Sequence, residues 1–168
     1  MSTDAPTPPA PAWKIPRSVL VVIHTLDLQV LMMERARQPG LWQSVTGSLD
    51  HPDEAPREAA IREVLEETGI DARAHRLTDW QIENRYEIFP RWRARYGPGV
   101  TMNTEHVFGL ALTSPVAVRL APDEHLAHEW LPWSSAAEKC FSWSNRDAIR
   151  LLPARHGERP ARRDGHWM

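Results

Sequence analysis

Three glutamates stand close together in Arg62-Glu63-Val64-Leu65-Glu66-Glu67. Apolar residues recur at Ala60, Ile61, Val64 and Leu65, the spacing of a helix that buries one side. Those four are expected against the core, with Arg62, Glu63, Glu66 and Glu67 on the opposite side. Like charges three and four residues apart cost a helix a few tenths of a kcal/mol per pair. Arg62 offsets part of that cost through Glu58 or Glu66. An acidic face of this kind is either solvated charge or a seat for a hard divalent cation. Mg²⁺ takes carboxylate oxygens and completes its shell with water and phosphate oxygens. Such an ion favours attack of water on phosphorus.

The flanking residues bear on that choice. Gly47-Ser48-Leu49-Asp50-His51-Pro52-Asp53-Glu54 is followed, seven residues on, by Arg62-Glu63-Val64-Leu65-Glu66-Glu67-Thr68-Gly69-Ile70. The arrangement resembles the Nudix box: a Gly, a Glu, then R-E-U-x-E-E-x-G-U with U aliphatic. The second half matches throughout. The first half departs by one residue, because six positions separate Gly47 from Glu54 where the family has five. The resemblance implies a Nudix-type α/β/α sandwich of the α+β class, built on a mixed β-sheet. It implies hydrolysis of a phosphoanhydride bond with Mg²⁺, or Mn²⁺ in its place. Glu63, Glu67 and the Gly47 carbonyl become expected metal ligands, Glu66 a nearby catalytic acid, and Arg62 a brace acting through Glu54.

Segments outside the box are similar to the branch of the family that takes dihydroneopterin triphosphate to its monophosphate and pyrophosphate, in folate biosynthesis. They are Trp42–Ser48, Arg95–Thr101, Asn103-Thr104-Glu105, Glu124–Ala127 and Ser142–Arg146. This resemblance implies substrate contacts from Lys14, Arg35, Thr46, Tyr86, Glu87, Ile88, Phe89 and Ser142, with Glu124 as a further metal ligand or base. The residue types suit those roles. Lys14 and Arg35 can pair with phosphates, and Thr46 carries a short hydroxyl. Tyr86 and Phe89 offer flat surfaces to a pterin ring, whose edge the backbone amides between them can read. Read alone, the cations and Glu124 are equally surface charges, and the aromatics equally core.

These residues need a scaffold. Ser18–Ile23 is a continuous apolar run that reads as a buried strand. Val30–Met33 is its hairpin partner across a Leu26–Gln29 turn. Gln38-Pro39-Gly40 marks a further turn before an extended Leu41–Val45. The acidic helix spans about Ala55 to Thr68, with Pro56 in its first turn and Gly69 as its C-terminal cap. Strands follow near 76–84, 104–112 and 127–131. A last helix starts at Ser142 or Ser144 and ends at Leu152. Strands outnumber helices, which suggests a mixed sheet with helices on its faces. Residues 1–12 are Pro-rich and 154–168 Arg- and Pro-rich, so the folded domain is expected at 13–153.

Composition narrows the partners. With a net charge of −2, the chain has no basic field for nucleic acid. Arg91, Arg93 and Arg95 read as solvated charge or attraction for a triphosphate. No apolar run spans a membrane, no secretory signal is read at the N-terminus, and a single cysteine excludes an internal disulfide. The expected setting is cytoplasmic, with a small-molecule triphosphate as partner. His51, His106, His125 and His128 lack zinc-site spacing. Trp42, Trp130 and Trp143 are expected to be core or rim packing. Two other functions stay open: a broader nucleoside triphosphate pyrophosphohydrolase, and a metabolite-sensing module without catalysis.

Overall fold

The computed structural model describes residues 13–157, so the expected tail at 1–12 and most of that at 154–168 lie outside the described residues. Strand β1, Arg17–Thr25, grows from the apolar run and is buried over almost its whole length. A turn with Leu28 at φ 62° leads into β2, Gln29–Arg35. Two short strands follow, β3 at Trp42–Gln43 and β4 at Val45–Ser48. Helix α1 is Pro56–Thr68, closed by Gly69 in the left-handed region at φ 73°, whose N–H donates to Leu65 O. Strands β5 (Arg76–Glu87), β6 (Met102–Leu112) and β7 (His125–Pro132) come next, then helices α2 (Trp133–Lys139) and α3 (Trp143–Gly157).

The seven strands form one mixed sheet ordered β3-β2-β1-β6-β5, with β4 added to β1 and β7 to β2. Among the described strands, β1 and β6 pair in parallel and the other pairs are antiparallel. Alternate residues of β1 point to opposite faces. Val19, Val21 and Ile23 pack with Ala59, Ala60, Ile61 and Val64 of α1. Leu20 and Val22 pack with Ala136 and Ala137 of α2 and with Ala148, Ile149 and Leu152 of α3. Both faces of the central strand are thus covered, which is why it reads as an unbroken apolar run.

Three expectations are corrected. Leu65 is not a core residue: it is 53% exposed, whereas Glu67 is 3% exposed. At about 100° per residue, with Val64 facing the sheet, Glu67 lies about 60° and Glu63 about 100° to one side. Leu65 falls about 100° to the other side, and Glu66 and Arg62 point away. The acidic residues are therefore divided between cleft and solvent instead of sharing one face. Secondly, α3 continues through Pro153 to Gly157, past the expected end at Leu152. Thirdly, α2 and a 3₁₀ turn at Pro90–Arg95 were absent from the sequence reading.

Candidate metal and substrate site

The box loop and α1 are held together by Arg62. Its guanidinium donates to Glu54 Oε1 and Oε2 at 2.9 and 3.1 Å, to the Ser48 carbonyl at 3.1 Å and to Glu63 Oε1 at 2.8 Å. Asp50 adds a contact at 3.0 Å, and exposed Glu66 a looser one at 3.6 Å. The extra residue between Gly47 and Glu54 is absorbed in a turn, with Glu54 N–H on His51 O and Asp50 N–H on Glu54 Oε1. Arg62 holds the Glu54 carboxyl below the ordinary carboxylate range, mainly by hydrogen bonding.

Gly47 lies against Glu63 so closely that a Cβ at that position would overlap the Glu63 carboxyl group. Any side chain there displaces the carboxylate. Glu63 is pushed up to about 7, chiefly by burial, with Arg62 opposing and Glu66 and Glu124 adding to the rise. Glu67 is also raised well above its ordinary value, again by burial first and then by Glu63 and Glu124. The Thr46 backbone, beside Glu67, opposes that rise. Glu67 Oε2 is buried without a hydrogen-bond partner.

Glu124 and His125 approach from the loop before β7. Ligand atoms of Glu67, Glu124 and His125 all lie within 4.8 Å of one another. His125 Nε2 is 3.7 Å from Glu67 Oε1, yet this is no ion pair, because burial, then Arg35, lowers the imidazole to about 4. Arg35 Nη1 donates to Gln43 Oε1 at 3.0 Å, which leaves Gln43 Nε2 to donate to His125 Nε2 at 3.4 Å. That chain fixes Nε2 as an acceptor. The Glu67 and Glu124 carboxylates and the neutral His125 imidazole therefore face each other, with the Nδ1–H of His125 buried and unpartnered. An orphaned buried carboxylate oxygen among acceptors is what a cation site requires. These residues fit a divalent metal. The adjacency of His125 was missed because only its spacing to other histidines was weighed; its place beside Glu124 was the available signal.

A cleft of about 890 Å³ runs from these acids across the sheet end. Lys14, Arg35, Thr46, Tyr86, Glu87, Ile88, Phe89 and Ser142 all line it, as do Gly47, Glu63, Glu67 and Glu124. Glu66 and Glu54 do not, Glu66 because it points to solvent and Glu54 because it faces Arg62. Lys14, Arg35, Arg37, Arg95 and Arg146 supply the basic groups of the wall. The Lys14 ammonium is lowered by burial, then by Arg95 and Arg35. Arg35 stacks over Trp92 at 4.9 Å and Phe141 at 5.8 Å, so its guanidinium is preorganised.

The far end is aromatic and polar. Tyr86 meets Trp143 edge-on at 6.3 Å, and Phe89 meets Trp92 at 5.0 Å. Trp143, expected as core or rim packing, is 45% exposed and lines the cleft. The amides between Tyr86 and Phe89 are less available than expected. Ile88 N–H is taken by Thr101 O and its carbonyl by Arg93 Nε. Glu87 is tied to Arg93 at 2.7 Å. The Ser142 hydroxyl accepts from Asn145 N–H at 3.3 Å and so caps α3.

Fold and site together define the class: the chain belongs to the NUDIX domain family, whose model matches residues 14–152. Within it, the chain is 49% identical over 140 residues to the dihydroneopterin triphosphate diphosphatase of Escherichia coli K12, covering 82% of this chain and 91% of that protein. The protein of that name from Haemophilus influenzae is 38% identical over 141 residues, covering 82% and 87%. The solved structure of the E. coli dihydroneopterin triphosphate pyrophosphohydrolase superposes with a TM-score of 0.78 at 45% identity, covering 85% of this chain and 98% of that one. Among the described residues no helix is long and apolar enough to cross a membrane.

Proposed function

We propose that this protein hydrolyses dihydroneopterin triphosphate to dihydroneopterin monophosphate and pyrophosphate, as a cytoplasmic step of folate biosynthesis. The observation that carries the proposal is one cleft with two chemically different ends. Acceptors that suit a cation line one end, and aromatic rings with hydrogen-bonding groups line the other. The 49% identity to a protein named for that reaction supports the same substrate.

Glu63, Glu67 and Glu124, with the Gly47 carbonyl and His125 beside them, would hold Mg²⁺. Mn²⁺ would serve in its place, since both ions suit carboxylate, carbonyl and water oxygens. A bound divalent ion supplies charge neutralisation at the polyphosphate. Lys14, Arg35 and Arg95 hold the phosphate chain by paired hydrogen bonds and charge. The exposed carboxylate of Glu124 takes the proton from the water that attacks phosphorus. The anhydride bond breaks as the new P–O bond forms, and pyrophosphate leaves. Glu66, expected to act in catalysis, is given no such part because it stands outside the cleft wall.

The test is kcat/KM for dihydroneopterin triphosphate against common nucleoside triphosphates, with the released product identified. The pterin substrate is expected to be preferred by more than tenfold, with pyrophosphate released. A tenfold preference for a nucleotide gives the protein to nucleotide clearance instead.

A further inference from the structure

Near the start of β6, two buried polar residues occupy positions where the alternation would continue the core. Asn103 and Glu105 share the face of β6 that carries Val107 into the α2 and α3 core. Both are 3% exposed, and both line the cleft. Their neighbours across the ladder are Tyr86 and Asn84 on β5, and Glu105 also pairs with Ser18 on β1.

The hydrogen bonds here have a direction. Asn103 Nδ2 donates to Ser18 Oγ at 2.8 Å and to the Tyr86 hydroxyl at 3.0 Å. The Tyr86 hydroxyl in turn donates to Glu105 Oε2 at 3.3 Å. Ser144 and Asn84 also lie beside the Glu105 carboxyl, but only the Tyr86 contact closes to hydrogen-bond geometry. The Asn103 amide and the Tyr86 hydroxyl thus spend their donors within the network. Two acceptors remain, Asn103 Oδ1 and Glu105 Oε1, each buried and without a partner. Burial accordingly pushes the Glu105 carboxyl above its ordinary range. Unpaired buried acceptors are costly, and N–H donors remove that cost.

We infer that Glu105 Oε1 and Asn103 Oδ1 are the specificity-determining groups of the cleft, accepting hydrogen bonds from the adjacent ring N–H and 2-amino group of a pterin. The inference rests on the proposed substrate and names the residues that choose it. A pterin presents two neighbouring donors on that edge, and two acceptors are its complement. A site built to satisfy polar groups rejects an analogue that lacks the matching hydrogen, because its own buried groups are then left unpaired. Asn103 and Glu105 lie in the Asn103-Thr104-Glu105 segment of the sequence, to which no role was assigned.

The test compares dihydroneopterin triphosphate with its 2-oxo counterpart, in which a carbonyl oxygen replaces the amino group. For the wild-type protein with Mg²⁺, kcat/KM should fall about 10- to 100-fold on that replacement, mostly through KM. Equal values, as when water satisfies both acceptors, overturn the inference and leave the proposed reaction standing. No turnover of dihydroneopterin triphosphate at all sinks the earlier proposal instead. A second arm uses Glu105→Gln. The Gln carbonyl accepts from Tyr86, which turns its NH₂ group toward the ligand's donors. The variant should lose about 10- to 100-fold on the amino substrate and hold or gain on the 2-oxo one. Equal losses on both substrates mark a merely structural role and overturn the inference. If the variant does not fold, the wild-type comparison decides alone.

Discussion

Glu67→Gln should make the metal-free protein more stable while removing its activity. Glu67 is almost fully buried, carries an unpartnered oxygen, and shares its surroundings with Glu63 and Glu124. A buried acceptor left without its hydrogen bond costs about 1–3 kcal/mol, and more when it is charged. The neutral isostere relieves most of that cost without changing volume. For a chain of this size each kcal/mol moves Tm by about 2–4 °C, so a rise of roughly 3–10 °C is expected in chelator. The sign with pH follows from the raised Glu67 pKa. Below the ordinary carboxylate range both folded and unfolded forms are protonated, and wild type matches the variant. As pH rises, the unfolded chain ionises first and the wild type falls progressively behind, until the folded-state pKa is passed. With Mg²⁺ the order reverses, because binding stabilises only the form that binds it. Thermal unfolding in chelator and in Mg²⁺, beside pyrophosphate release, measures all three. Turnover should drop by 10³ or more. A variant less stable than wild type in chelator, or one with an undiminished Mg²⁺-induced rise in Tm, refutes the reasoning.

Three further outcomes are expected. Gly47→Ala places a methyl group where the Glu63 carboxyl stands, and should lower kcat at least 30-fold and weaken Mg²⁺ activation, as read from a metal titration of turnover. Arg62→Ala strands Glu54 and Glu63, both largely buried. Because Arg62 is itself partly exposed, the loss should be about 2–3 kcal/mol in urea unfolding, below the cost for a fully buried pair. Arg35→Lys keeps the charge but loses the planar stack on Trp92 and Phe141 and the fork to Gln38 and Gln43; KM for the triphosphate should rise about tenfold, with a smaller change in kcat, in steady-state assays.

Much of the architecture was legible because local rules and tertiary packing agree. The apolar run of β1 needed two covered faces, and the Pro56 and Gly69 ends of α1 match the turn chemistry those residues favour. The orientation of α1 was misjudged because hydrophobicity was taken as the guide to burial. Here the cleft draws Glu67 inward and leaves Leu65 outside, since a binding site overrides the binary pattern. Helix α2 was missed because Trp133-Ser134-Ser135-Ala136-Ala137 is short and follows a proline, with weak periodicity. The members of the site were legible mainly through the box and the segments beside it. Their partners were not, because the contact of Arg35 with Trp92 and that of Gln43 with His125 depend on how distant segments meet.

Strand β5 forms one border of the sheet, and its pairing with β6 shifts register between Asp79 and Ile82, where Gln81 adopts φ 57°. That kink turns the Trp80 indole inward over Gly109. It also interrupts the row of free peptide groups that a straight border would offer to another chain. A foreign strand laid along this side finds no uninterrupted template. The irregularity that seats one aromatic ring thus also guards the molecule against zippering into aggregates.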